Sequence, residues 1–316
     1  MKQMINSEHI EGRIYQHDLA VKTVQNQASA NFGKEFIAGT LDIATDEEGL
    51  NVIQVHFTYV TETTKAGGKN STFAALKKII DEGKAWITDG KDAATKVKID
   101  TALALNDFYA QDDSLVSVKT NEGGFVTIVT DICPENERNT FTTDMIITNI
   151  ARVEADEEKN IPEAYISVRG AIFNFRNAVL PVEFVVRNTA GMKYFEDLGV
   201  TPAEPVFTKV WGRINSTTTT VERTEESAFG EAAVKTYERK TKEWTITGTA
   251  KIPYEYGDAS VLTADDITKA MQDREVYLAD IKKRADEYRA QKASNQSSAF
   301  NSAASTPVAA KGGFNF

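Results

Sequence analysis

Along the first half of the chain, apolar residues recur at every second position, the spacing of strands with one buried face. In residues 9–16, Ile10, Gly12 and Ile14 fall on one side, and Glu11, Arg13 and Tyr15 on the other. Residues 35–44 and 51–60 repeat the pattern. In the latter, Ile53, Val55, Phe57 and Tyr59 share a predicted core face, opposite Gln54, His56 and Thr58. The acidic, glycine-containing stretch 45–49 between them reads as a hairpin loop. The period then lengthens. Phe73, Leu76, Ile79 and Ile80 stand at helical spacing in residues 71–82, behind a Ser/Thr start and before Gly83. Strands resume over 95–104, 114–120 and 125–130.

The same order of elements recurs downstream. Residues 141–153, 164–175 and 178–188 read as strands, 189–198 as a short helix, and 206–221 and 241–252 as later strands. Short echoes fall at matching places: Thr95-Lys-Val97 with Thr208-Lys-Val210, and Val55-His-Phe57 with Val182-Glu-Phe184. Three strands, a helix and further strands is the order of an OB barrel. The expected fold is therefore mainly β, with two tandem OB-like β-barrels carrying short helices. The first unit spans residues 1–135 and the second 136–258. A C-terminal helix follows over 259–293, with Ile267, Met271, Leu278, Ile281, Ala285 and Tyr288 along one stripe. Residues 294–316, rich in Ser, Ala and Asn, are expected to be a disordered tail.

The length of 316 residues accommodates two cores, and 41% hydrophobic with 26% charged residues is ordinary for a folded protein. No run of 18 apolar residues occurs, which argues against a membrane-spanning helix. The first residues lack the apolar core of a signal peptide, so the expected compartment is the cytoplasm, that of the host if the protein is viral. A single cysteine, Cys133, cannot form an internal disulfide, and the three histidines, His9, His17 and His56, lie in no metal-binding motif. No phosphate loop or nucleophile elbow is present. The chain is thus expected to be a non-enzyme without cofactor or metal.

The net charge of −10 lowers general adhesion to polyanions, so a polyanion would need a local cationic surface acting within a Debye length of about 8–10 Å. Candidate surfaces are strands whose polar face mixes cations and rings. In Lys209-Val-Trp-Gly-Arg213, Val210 and Gly212 can face a core, with Lys209, Trp211 and Arg213 on the other side. A ring between two cations can stack on a base while the charges reach neighbouring phosphates. Lys96 and Lys98 form a weaker face, and Arg13 with Tyr15 a ring–cation pair. Lys65 and Lys69 open a lysine-rich stretch through Lys84. Arg169, Phe175 and Arg176 lie on or beside a hairpin of the second unit. Solvated lysines and a core-packed Phe173 are the plain readings of the same residues.

These stretches, together with Glu35-Phe-Ile-Ala-Gly-Thr-Leu41 and Asn51-Val-Ile-Gln-Val-His-Phe57, make the chain resemble phage-type single-stranded DNA-binding proteins with tandem OB units. The likeness covers about residues 10–253 and rests on layout, since such proteins have no strict fingerprint. It implies cooperative, sequence-tolerant binding of single-stranded DNA in replication or recombination, without cofactors, and is compatible with a homo-oligomer. The terminal Phe314 and Phe316 are candidates for docking on replication or recombination proteins, although no acidic run precedes them. The competing reading is a structural or assembly protein of a virus particle, acting through subunit contacts.

Overall fold

Alternation of buried and exposed side chains carries the described residues through eleven strands and four α-helices. The computed structural model describes residues 3–156, 161–225, 233–255 and 263–303. The first strands are β1 (Asn6–His17), β2 (Ala20–Thr23), β3 (Glu35–Ala44) and β4 (Val52–Thr61). Helices α1 (Ser71–Glu82) and α2 (Trp86–Asp89) precede β5 (Lys96–Tyr109) and β6 (Leu115–Ile128). Then come β7 (Asn139–Val153), β8 (Tyr165–Phe173), β9 (Val179–Val186), α3 (Thr189–Asp197), β10 (Val206–Glu225), β11 (Ala233–Thr249) and α4 (Ala264–Ala303).

All strands belong to one hydrogen-bonded sheet, whose pairings run in two five-strand circuits. In the first, β1 pairs β3, β3 pairs β4, β4 pairs β6 in parallel, β6 pairs β5, and β5 returns to β1. In the second, β7 pairs β8, β8 pairs β9, β9 pairs β11 in parallel, β11 pairs β10, and β10 returns to β7. The circuits meet where β1 also pairs β7, Asn6 opposite Thr143 and Ile10 opposite Asn139. At residues 8–10, β1 therefore uses both edges, one toward β5 and one toward β7.

One continuous apolar cluster fills both circuits. It includes Ile10, Ile14, Leu41, Val55 and Val97 from the first, and Val168, Phe184, Val210 and Ile214 from the second. Full burial of each such aliphatic side chain contributes roughly 1.5–3 kcal/mol. The two short amphipathic helices cover the cluster. α1 buries Phe73, Leu76 and Ile79, and α3 buries Phe195. Each begins at an asparagine, Asn70 or Asn188, whose side chain accepts a hydrogen bond from a first-turn N–H.

Several sequence expectations shift by a few residues. The strands expected at 114–120 and 125–130 are one strand, β6, running through Gly123 and Gly124. A Cβ at Gly123 would sit 2.2 Å from the Phe57 ring, and one at Gly124 2.4 Å from the Asp100 carbonyl, so these glycines permit close passage and do not end the strand. Of the tail expected over 294–316, residues 294–303 are part of α4, and 304–316 lie outside the described residues. Tyr59, expected in the core, is 47% exposed. The pairing of Gly39 with Phe57 but Ile37 with Val60 leaves an extra residue in β4. That bulge reverses the alternation, and Val60 packs on the core in place of Tyr59.

The chain divides into two compact units, residues 1–105 with 119–271, and 106–118 with 272–316. Within the first, Ala270 of α4 is buried with Met4, Phe173 and Phe207. Within the second, Arg274 pairs with the buried Asp107 at 3.1 Å, and Arg289 and Lys282 both reach Asp113. Among the described residues, no helix is long and apolar enough to cross a membrane.

Candidate nucleic-acid interface

The β10 strand presents the ring-and-cation face that its alternation predicts. Val210, Gly212 and Ile214 are buried, whereas Trp211 is 40% exposed. The indole lies over Gly248 of β11, where a Cβ would come within 2.5 Å of Nε1. Trp211 pairs with Gly248 but Gly212 with Ile246, so an extra β11 residue bulges beside the ring. On its other side Trp211 faces Thr142 of β7. Lys209 is half-buried, and no partner for its ammonium is seen among the described residues. Arg213 is tethered, donating to the backbone carbonyls of Glu135 (2.9 Å) and Asn136.

The other predicted residues do not gather into one patch. Arg176 stacks over the Phe175 ring at 5.1 Å, both exposed at the β8–β9 turn, with Phe175 70% exposed. Arg169 is paired with Glu183 at 3.2 Å. In the first circuit, Lys98 is exposed, and Lys96 donates to the Thr130 carbonyl at 2.9 Å. Arg13 joins Lys91 and Arg138 around Glu47, at 3.1, 3.0 and 2.8 Å. These cations, Arg138 foremost, hold the Glu47 carboxyl down at about 2. Tyr15 packs beside Trp86, ring centroids 6.1 Å apart. Lys65 and Lys69 are exposed, and Lys69 lines an open cleft of about 420 Å³ where Lys77 and Lys78 alternate with Asp81 and Glu82. Phe314 and Phe316 lie outside the described residues.

The fold also exposes rings that alternation assigned to no surface. Phe36 and Tyr59 pack at 4.7 Å, the Tyr59 hydroxyl accepts from Asn31, and Phe32 nearby in sequence is 52% exposed. Phe125 on β6 is 72% exposed. A bulge hides the signal for Tyr59, but Phe125 directly follows the two glycines and precedes the buried Val126, an alternation readable from the sequence.

Behind the surface lies a buried polar cluster. Trp244 Nε1 donates to Glu8 at 2.8 Å, and the Thr101 hydroxyl donates to the same carboxyl at 2.7 Å. Burial pushes the Glu8 carboxyl up to about 7, against these two hydrogen bonds, which lower it. Lys119, its ammonium 4.8 Å from the Trp244 ring centroid, donates to the Glu183 carbonyl at 2.6 Å. Burial brings its pKa down to about 8.

Among solved structures, wild-type single-stranded DNA binding protein from Thermus aquaticus is 10% identical, with 81% of this chain and 97% of that one covered at a TM-score of 0.47. A deletion mutant of the same protein gives 10% identity, 82% and 100% coverage, and a TM-score of 0.46. A replication protein A heterotrimer bound to ssDNA is 9% identical over 80% of this chain and 66% of that one, at a TM-score of 0.19. No curated protein matches the chain. The YorF family model matches residues 6–284, from the start of β1 into α4, and the chain belongs to the YorF family.

Proposed function

We propose that this protein binds single-stranded DNA with little sequence preference, stacking bases on exposed rings while nearby lysines and arginines meet the phosphates. The observation that carries this reading is Trp211: a large indole left 40% exposed, seated on a glycine, with Lys209 on the same strand face. Phe175 with Arg176, the Phe36–Tyr59 pair and Phe125 are further platforms on the same sheet. We read the two circuits as tandem OB-type barrels. In each, the first strand pairs the second and fourth, the third pairs the fifth in parallel, and a helix lies between third and fourth. This supports a division near residue 135. A role in replication or recombination, with partners recruited by the terminal aromatics, belongs to the same proposal.

Single- and double-stranded DNA and RNA oligonucleotides titrated against intrinsic tryptophan fluorescence test the reading. Single-stranded DNA should quench the signal, and added salt should weaken binding. Stacking on one aromatic contributes about 1–3 kcal/mol per base, so Trp211→Ala should weaken binding roughly 5- to 150-fold. Salt-independent binding, or none, would refute the proposal. Unchanged affinity in Trp211→Ala would remove this ring from the interface.

A further inference from the structure

The N-terminal strand and the link between the circuits bring together three side chains that no sequence motif connects. His9, Glu11 and Cys133 each offer a ligand atom, and these lie within 4.8 Å of one another. His9 Nε2 is 3.3 Å from Glu11 Oε2. Metal–ligand distances of about 2.0–2.3 Å place the donors of a tetrahedral site roughly 3.3–3.8 Å apart. The His–Glu pair already has that spacing. Cys133 lies in the irregular segment after β6, its Sγ within 4.8 Å of the other two donor atoms.

The supporting contacts sort the donor atoms. His9 Nδ1 lies 3.1 Å from Asp100 Oδ1, and donating its Nδ1–H to that carboxylate leaves the Nε2 lone pair directed at the cluster. Glu11 is only 6% exposed, and its Oε1 accepts the Cys133 backbone N–H at 2.8 Å, leaving Oε2 to turn toward His9. Arg138 donates to the Cys133 carbonyl, but its charge is met by Glu47 at 2.8 Å. An ion pair between protonated His9 and Glu11 would explain the 3.3 Å contact alone. The Cys133 thiol also hydrogen-bonds Glu11, so imidazole and thiol converge on one buried carboxylate, with Asp100 at the far ring nitrogen.

We propose that His9, Glu11 and Cys133 bind a divalent metal ion of the zinc class, with Asp100 positioning His9 and solvent in the fourth place. A thiolate, an imidazole and a carboxylate form a mixed donor set suited to zinc, with cobalt as its spectroscopic stand-in. Coordination would tie β1 to the segment joining the circuits. It requires no DNA, so it stands apart from the proposed binding function.

The test is titration of the chelator-treated full-length protein with Co²⁺. One equivalent should produce a thiolate-to-cobalt charge-transfer band and intense tetrahedral visible bands, both removed by added Zn²⁺. Cys133→Ser should abolish the charge-transfer band. Asp100→Asn should retain it while weakening zinc binding 10- to 100-fold, as loss of a supporting carboxylate does elsewhere. In the unmutated protein, one equivalent of Zn²⁺ should also shield Cys133 from alkylation, a readout independent of any variant's folding. Cobalt binding without a thiolate band, equal affinity in Cys133→Ser, or alkylation indifferent to zinc would each overturn the proposal.

Discussion

Glu8 ties stability to pH through a single buried carboxyl. Its carboxyl titrates near 7 when folded, against an ordinary value of 4.5, because burial disfavours the charge. Between those values the folded protein holds a proton that the unfolded chain has released. The stabilisation is complete below about pH 4.5 and is lost as pH rises through 7, on the order of 3 kcal/mol in all. Glu8→Gln retains groups able to bond Trp244 and Thr101 but carries no charge. Urea unfolding from pH 5 to 8 should therefore show a falling stability in the parent protein and a much flatter profile in the variant. Parallel profiles would assign the slope elsewhere. Glu47 acts in a separate window: its lowered pKa removes stability only as pH falls below about 4.5. Neither role was legible in the sequence. Glu8 precedes the first expected strand, and Glu47 sits in an acidic loop whose three cations come from distant positions.

At the scale of elements, alternation is a reliable guide until a bulge intervenes. β3 and α1 span the residues their periodicities mark, whereas the bulge in β4 turns Tyr59 outward and creates an aromatic pair that strict alternation hides. The four-residue β2 and α2 are too short to display any period. The β10–β11 pair shows how close approach constrains sequence. A Cβ on Gly212 would lie 1.9 Å from the Thr245 carbonyl, so Gly212→Ala must push the two strands apart. A loss of roughly 1–3 kcal/mol, read from the urea midpoint, is expected. Gly248→Ala differs, because the three atoms nearest its Cβ all belong to the Trp211 indole. That variant should stay close to the parent in stability while weakening single-stranded DNA binding, as the ring is displaced from its seat. If affinity fell only in proportion to stability, the seat would have no part in binding.

For the whole molecule, the order of elements was legible but the joint between the circuits was not. The link near residue 135 marks where pairing passes from one circuit to the next, yet hydrogen bonds cross it freely. β1 pairs with β7, Trp244 bonds Glu8, Lys119 reaches the Glu183 carbonyl, and Asn51 bonds the Ile214 carbonyl. The two circuits should therefore unfold together. Backbone circular dichroism and the near-ultraviolet signal of buried Trp244 should give coincident urea transitions. Deleting residues 1–12 should lower both signals, because it strips an edge from β5 and from β7 at once. Two separated transitions would show that the circuits are independent.

The double pairing of β1 also bears on synthesis. Its β5 edge can close once residue 101 has left the ribosome, but its β7 edge must wait until residue 143 is available. Until then a nascent chain carries an unpaired, hydrogen-bonding strand edge, open to capture by a neighbour on the same messenger. Slow translation between those two points should raise the yield of mispaired aggregate, and faster passage should suppress it.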